Sequence, residues 1–154
     1  MPAAPVHESL GGKEYRLFDQ TRRLSIPSKF RFRYGSTVYL LRNFQAEGEE
    51  CIVVYNEEDY LKVYDGLAKS YDGAELTFMQ RFFSQNISMA SIDKAGRVSI
   101  PEDFLSYAEL NEVPGALLVC HPDRLELWNE GKWNKLFDVP VKPDFSRFNI
   151  SPRG

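Results

Sequence analysis

Apolar positions along the chain change period several times, and each change marks an element. Tyr15 and Leu17, then Leu24 and Ile26, alternate with polar neighbours and predict two short strands. Pro27 closes the second, because proline removes a ladder donor. Residues 28–34 read as a short basic helical turn or loop ending at Gly35. The β-branched and aromatic runs at 37–41 and 51–55 predict a strand pair joined by an acidic loop around Gly48. Asn56 is placed to cap a helix running to about Leu67, with Glu57, Glu58 and Asp59 in the first turn, where the helix dipole favours negative charge. Gly73 separates it from a second helix over 74–85. There Leu76, Met79 and Phe83 recur at helical spacing and Phe78 and Phe82 widen the apolar face, which reads as core bridging two halves of the chain.

The remainder repeats the plan. Strands are predicted at 87–91 and 98–100, a helix over 102–110 started by Pro101, and a hairpin of strands 116–120 and 124–128 turning through His121-Pro122-Asp123. Asn129 then caps a helix to about Phe137. Residues 1–13, with two prolines, two glycines and little to bury, read as a flexible lead. Residues 138–154 carry three prolines and no periodicity, as expected of a tail that is mobile or docked onto a neighbour.

The parallel is a true internal repeat. Asp19-Gln-Thr-Arg-Arg-Leu-Ser-Ile-Pro27 recurs as Asp93-Lys-Ala-Gly-Arg-Val-Ser-Ile-Pro101, an offset of 74 residues that also relates Phe30 to Phe104. Further on, 52–57 aligns with 125–130, and Tyr60 and Lys62 with Trp133 and Lys135, at an offset of 73, as one loop deletion would produce. Repeats define architecture before local structure does, and these describe two half-domains of one kind: 14–63 and 87–137, joined by a helical connector, 64–86.

Within each copy the Asp and Arg flank a turn between strands, and Gly96 can supply the positive φ that such a turn needs. Strand alternation puts Arg23 with Ser25, and Arg97 with Ser99, on one face, and the intervening apolar residues on the other, toward the core. Arginine facing outward suits DNA, since its planar fork donates two hydrogen bonds to a phosphate or a guanine edge. Arg22, Lys94 and Lys29 add nearby positive charge. Asp19 and Asp93 read as structural, pairing with the arginines to shape the turn, because carboxylates repel phosphate; Pro27 and Pro101 end the strands.

Composition changes this picture little. At 154 residues, 43% hydrophobic and 27% charged, the chain matches an ordinary globular protein able to bury a core without disulfides or metal. The net charge of −3 does not advertise nucleic acid, but its distribution does. Residues 16–42 hold seven basic side chains against Asp19 alone, and 47–75 hold nine acids against Lys62 and Lys69, which suggests a basic face on an acidic body. Cys51 and Cys120 sit at the ends of apolar runs and read as small core residues; with only His7 and His121 beside them, no zinc-ligand spacing arises. No stretch approaches the ~20 apolar residues of a membrane span, and the start lacks a secretory pattern, so a reducing cytoplasm is expected, with no membrane partner. No nucleophile and base pair, and no phosphate-cradling glycine loop, points to an enzyme or to a small-molecule substrate.

The twin Asp-x-x-x-Arg-(Leu/Val)-Ser-Ile-Pro motifs, the Leu125-Glu126-Leu127-Trp128 strand leading to Trp133, and the connecting Arg81-Phe82-Phe83-Ser84-Gln85-Asn86 segment resemble the bacterial MraZ family. The likeness covers roughly residues 15–137. It implies a β-rich α+β fold of two pseudo-symmetric AbrB-like swapped-hairpin half-domains, forming one small β-barrel-like core with short helices. It also implies a transcriptional regulator that binds short direct repeats of double-stranded DNA in the promoter of a division and cell-wall gene cluster, is nucleoid-associated, and assembles into a ring-like homo-oligomer. Arg23 takes the place of the main DNA-contacting arginine. In the first copy Thr21 and Arg22 stand where the family pattern has a basic residue and glycine. AbrB-like folds also serve as protein-binding modules, antitoxin-like, and the negative net charge and the tail fit that alternative.

Overall fold

The computed structural model describes residues 11–28, 31, 34–44, 46–138 and 143–148. The expectations for Lys29, for residues 1–10 of the lead and for most of the tail lie outside the described residues.

The first half contributes β1 (Lys13–Leu17), β2 (Arg23–Ser25), β3 (Thr37–Arg42) and β4 (Ile52–Tyr55). Three helices, α1 (Glu57–Asp65), α2 (Leu67–Ser70) and α3 (Gly73–Gln85), lead to the second half. There β5 (Ile87–Ser91) and β6 (Arg97–Ser99) precede α4 (Glu102–Tyr107), β7 (Gly115–Cys120), β8 (Leu125–Trp128) and α5 (Glu130–Leu136). Asn56 and Asn129 cap α1 and α5 as predicted, their side-chain oxygens accepting the N–H groups of Asp59 at 2.7 Å and Lys132 at 3.0 Å. The helix expected to run to Leu67 stops at Gly66 and restarts as α2.

Six strands form one antiparallel sheet in the order β1-β7-β8-β4-β3-β5. Exchanging the first four strands for the last four leaves that order unchanged. The first strand of each half therefore lies beside the third strand of the other: Tyr15 faces Leu117 and Met89 faces Tyr39. β2 and β6 leave the sheet and pair with each other, and Val98 of β6 makes one further isolated bridge to Ile92. The fold is thus mixed α+β and rich in strands, but among the described residues the expected barrel-like closure is not present: β1 and β5 are edges with no ladder between them. The physical reason lies in the central strands, which bury side chains on both faces, whereas a closed barrel of this size has only its interior face packed by its own side chains.

Those two faces make two cores. One gathers Leu24, Ile26, Val38, Leu40, Ile52 and Val54 from the first half with Val98, Phe104, Leu118, Leu125 and Leu127 from the second, under the β2–β6 ribbon and α4. The other places Leu41, Val53, Tyr55, Leu117, Val119 and Trp128 beneath the helices, where Tyr60 and Leu67 close over them. Trp133 of α5 meets the Trp128 ring at 5.3 Å, edge to face. α3 departs from expectation. Phe83 is its one fully buried residue, Leu76 and Met79 are half-covered, and Phe78 is 63% exposed, so the helix docks by its C-terminal end and is not a bridge through the core.

Each core draws on both halves, so neither half has a complete core of its own. Leu118, fully buried between the halves, should be costly to truncate: Leu118→Ala is expected to lose about 2–5 kcal/mol in urea unfolding followed by circular dichroism, in a single transition. Leu17→Ala, at an edge position 67% exposed, should change stability by less than about 0.5 kcal/mol.

Candidate nucleic-acid interface

The two motif copies build one surface. β2 and β6 run antiparallel with Arg23 opposite Ser99, Leu24 opposite Val98 and Ser25 opposite Arg97. Alternation sends Leu24 and Val98 inward, where both are almost wholly buried, and leaves Arg23, Ser25, Arg97 and Ser99 on the outer face.

Each turn before the strand is organised by its aspartate. Asp19 Oδ1 accepts the backbone N–H groups of Thr21 and Arg23, both at 2.9 Å, and the Thr21 hydroxyl at 3.0 Å. Asp93 Oδ1 accepts those of Ala95 and Arg97 at the same 2.9 Å. The second carboxylate oxygen receives the following arginine, Arg23 Nε to Asp19 Oδ2 at 2.9 Å and Arg97 Nε to Asp93 Oδ2 at 3.0 Å. Weaker contacts cross between the halves, from Arg23 Nη1 to Asp93 at 3.4 Å and from Arg97 Nη1 to Asp19 at 3.7 Å. The backbone N–H of Arg23, helped by Thr21 and by the Arg23 charge, draws the Asp19 carboxyl down to about 2 from an ordinary 3.8. Asp93 is lowered in the same way, chiefly by the N–H of Arg97.

The cluster is neutral in sum and open to solvent: the Arg23 and Arg97 side chains are 32% and 36% exposed. The aspartates engage Nε and Nη1, so the two forks are steadied side by side while their remaining N–H donors stay outside these contacts. Such an arrangement can offer paired, oriented donors to an anion or a base edge.

The other predicted residues divide. Lys94 is exposed in the second turn. Gly96 has φ 82, the left-handed conformation expected of it. Pro101 starts α4, its carbonyl accepting the N–H groups of Phe104 and Leu105 at 3.0 Å, and Pro27 is buried. Arg22 is placed differently from Arg23. It occupies the position of Gly96 with φ 61, and its guanidinium turns to the carbonyl oxygens of Val113, at 2.9 Å, and of Leu110.

Arg31 was not singled out from the sequence, yet its Nε donates to the Ile26 carbonyl at 2.8 Å and its guanidinium lies where a Cβ at Gly96 would be. The repeat offset carried a hint of this asymmetry, since the position matching Arg31 is the apolar Leu105. The basic run does not form one face. Arg16 pairs with Glu14, and Arg42 binds Asp103 and the Gln85 carbonyl while covering the Phe104 ring at 4.3 Å. Cys51 and Cys120 are both buried, and burial raises the Cys51 thiol above its usual range. Among the described residues no cluster of His, Cys, Asp or Glu is arranged to hold a metal, and no helix is long and apolar enough to cross a membrane.

A family model described as "MraZ protein, putative antitoxin-like" matches residues 85–147. Curated relatives span more of the chain. The transcriptional regulator MraZ of Clostridium tetani (strain Massachusetts / E88) is 29% identical over 124 residues, 80% of this chain and 83% of the relative. The proteins of that name from Dictyoglomus thermophilum, 29% identical over 126 residues (80% and 82%), and Finegoldia magna, 30% identical over 118 residues (76% and 78%), align similarly. With both motif copies, the ribbon they build and alignments covering about four-fifths of the chain and of its relatives, this chain belongs to the MraZ family.

Proposed function

We propose that this protein is a sequence-specific, DNA-binding transcriptional regulator and that the outer face of the β2–β6 ribbon reads the DNA. The observation that carries the reading is the meeting of Arg23 and Arg97 on one exposed two-stranded ribbon, each steadied by its own aspartate. A β-ribbon fits the major groove, where arginine donates to guanine O6 and N7. Arg23 and Arg97 take that role, Ser25 and Ser99 donate to flanking phosphates, and Lys94 and Lys29 add charge along the backbone. The relatives' name, transcriptional regulator, supports the assignment.

Two AbrB-like half-domains, 14–63 and 87–137, joined through 64–86, account for the strand order that survives exchange of the halves. Each chain then offers few arginines, so affinity depends on counterion release and on several chains acting together. A ring-like homo-oligomer bound to short direct repeats in the promoter of a division and cell-wall gene cluster, in the cytoplasm at the nucleoid, meets that need. In this reading the protein requires no cofactor, small-molecule substrate or catalytic activity. A second reading, an antitoxin-like module that wraps a protein partner, is favoured by the family description and fits the negative net charge. A stoichiometric small protein retained through purification, with no preference between DNA duplexes, would select it.

Fluorescence anisotropy with a duplex from upstream of the protein's own gene, against a scrambled duplex, tests the leading reading. The native duplex should bind more tightly, and Arg23→Ala and Arg97→Ala should each weaken it by about 1–3 kcal/mol, roughly 5- to 150-fold, with melting temperatures little changed. Equal binding of both duplexes, indifferent to either substitution, would sink the DNA reading.

The cluster should also leave an acid signature. A carboxyl lowered in the folded state stabilises the fold fully above its unfolded value, and that contribution disappears as pH falls toward the folded value. For Asp19 the window runs from about 4 down to about 2. Carbon-detected NMR should find Asp19 titrating near the bottom of that window, and Asp19→Asn should flatten the loss of stability across it; an Asp19 midpoint near 3.8 would contradict the turn geometry.

A further inference from the structure

The two motif turns have the same backbone hydrogen bonds but are held to the rest of the protein in opposite ways. At the left-handed position of the second turn stands Gly96, and Arg31, from the first half, occupies the space a side chain would need. Arg31 is itself fixed to the Ile26 carbonyl at 2.8 Å, and the Ile26 N–H donates to the Gly96 carbonyl at 2.8 Å. In the first turn the equivalent residue to Arg31 is Leu105, buried in the core and without a donor to offer.

Arg22 reverses the direction. It stands at the glycine position itself, in a conformation that β-carbon-bearing residues seldom adopt, and reaches outward from the turn to the other half. Its Nη1 donates to Val113 O at 2.9 Å and its Nη2 to Leu110 O, while the guanidinium lies 4.2 Å from the centre of the Phe18 ring. Phe18 is in turn anchored by its N–H to the Pro114 carbonyl at 2.9 Å. The planar fork suits two carbonyl oxygens of one loop, which a lysine point charge would not hold in the same way.

We propose that Arg22 is a positioning residue: it braces the first turn against the 108–114 loop of the second half, as Arg31 braces the second turn against the first half. In this way it sets where Arg23 stands without touching DNA. The proposal rests on the DNA-binding reading of the ribbon. With both Nη groups on carbonyls and one face on Phe18, the Arg22 fork is directed to the 108–114 loop and not, like Arg23, to the outer face of the ribbon. A loosened turn misplaces Arg23, which harms base readout more than charge attraction, because a base contact needs an aimed donor and phosphate attraction does not.

The test compares wild type, Arg22→Gly, Arg22→Ala, Arg31→Ala and Arg23→Ala on the upstream and scrambled duplexes across a salt series. Arg22→Gly suits the φ of 61 and preserves the turn, so it separates loss of the brace from loss of fold. The brace predicts that Arg22→Gly and Arg22→Ala reduce the preference for the upstream duplex on the order of tenfold, the scale of one base contact, and leave the salt slope unchanged. A slope smaller by about one, with preference retained, would mean that Arg22 contacts phosphate directly and would overturn the proposal. If wild type itself shows no preference, the DNA reading fails, and the brace is judged by nitrogen-15 relaxation of the arginine Nε–H groups. Arg23 should become more mobile in Arg22→Gly, and Arg97 in Arg31→Ala; unchanged order in Arg22→Gly overturns the brace.

Discussion

The pairing of β2 with β6 is the contact on which the rest of the molecule depends. Neither three-residue strand belongs to the main sheet; they pair with each other over the core beneath them. Leu24 and Val98 face each other across the ribbon and bury together, so the ribbon forms only when both halves of the chain have come together. The same event aligns Arg23 and Arg97. Folding and assembly of the outward face are therefore a single step, and the apolar side of the ribbon supplies the free energy that orders the polar side.

Two carboxylates in a face proposed to meet DNA look at first like a liability. Their geometry removes the difficulty, because one oxygen of each is occupied by backbone N–H groups and the other by the arginine fork. Long side chains at a surface usually give up much of an ion pair's strength to entropy and solvent screening. The aspartates are not there for strength. They limit the arginine rotamers before any ligand arrives, which lowers the ordering cost of binding.

The two turns also show how a repeat diverges while its architecture persists. Gly96 leaves space and receives Arg31, whereas Arg22 fills its own position and extends to Leu110 and Val113. Either way an arginine crosses between halves near the left-handed residue. The outer arginines are thus matched in backbone and ion pairing but differ in what supports them from behind.

Much was legible along the chain. Asparagine at 56 and 129 announced two helix starts, and alternation in the motif separated Arg and Ser from the residues beneath them. These are local matters, decided by period, capping chemistry and the direction of successive Cβ atoms. Which strand pairs with which was not local. β1 could have stayed with its own half, and only three-dimensional packing put it against β7 and left the sheet open at β1 and β5. The apolar stripe of α3 was visible, but how much of it is covered depends on where the helix meets the sheet, and Phe78 remains exposed. The roles of Arg22 and Arg31 lay deepest, because their partners are backbone carbonyls and a bare glycine. Every residue has a carbonyl, so nothing in the order of side chains marks which ones an arginine will find; only the fold brings Leu110 and Val113 to Arg22 and Gly96 to Arg31.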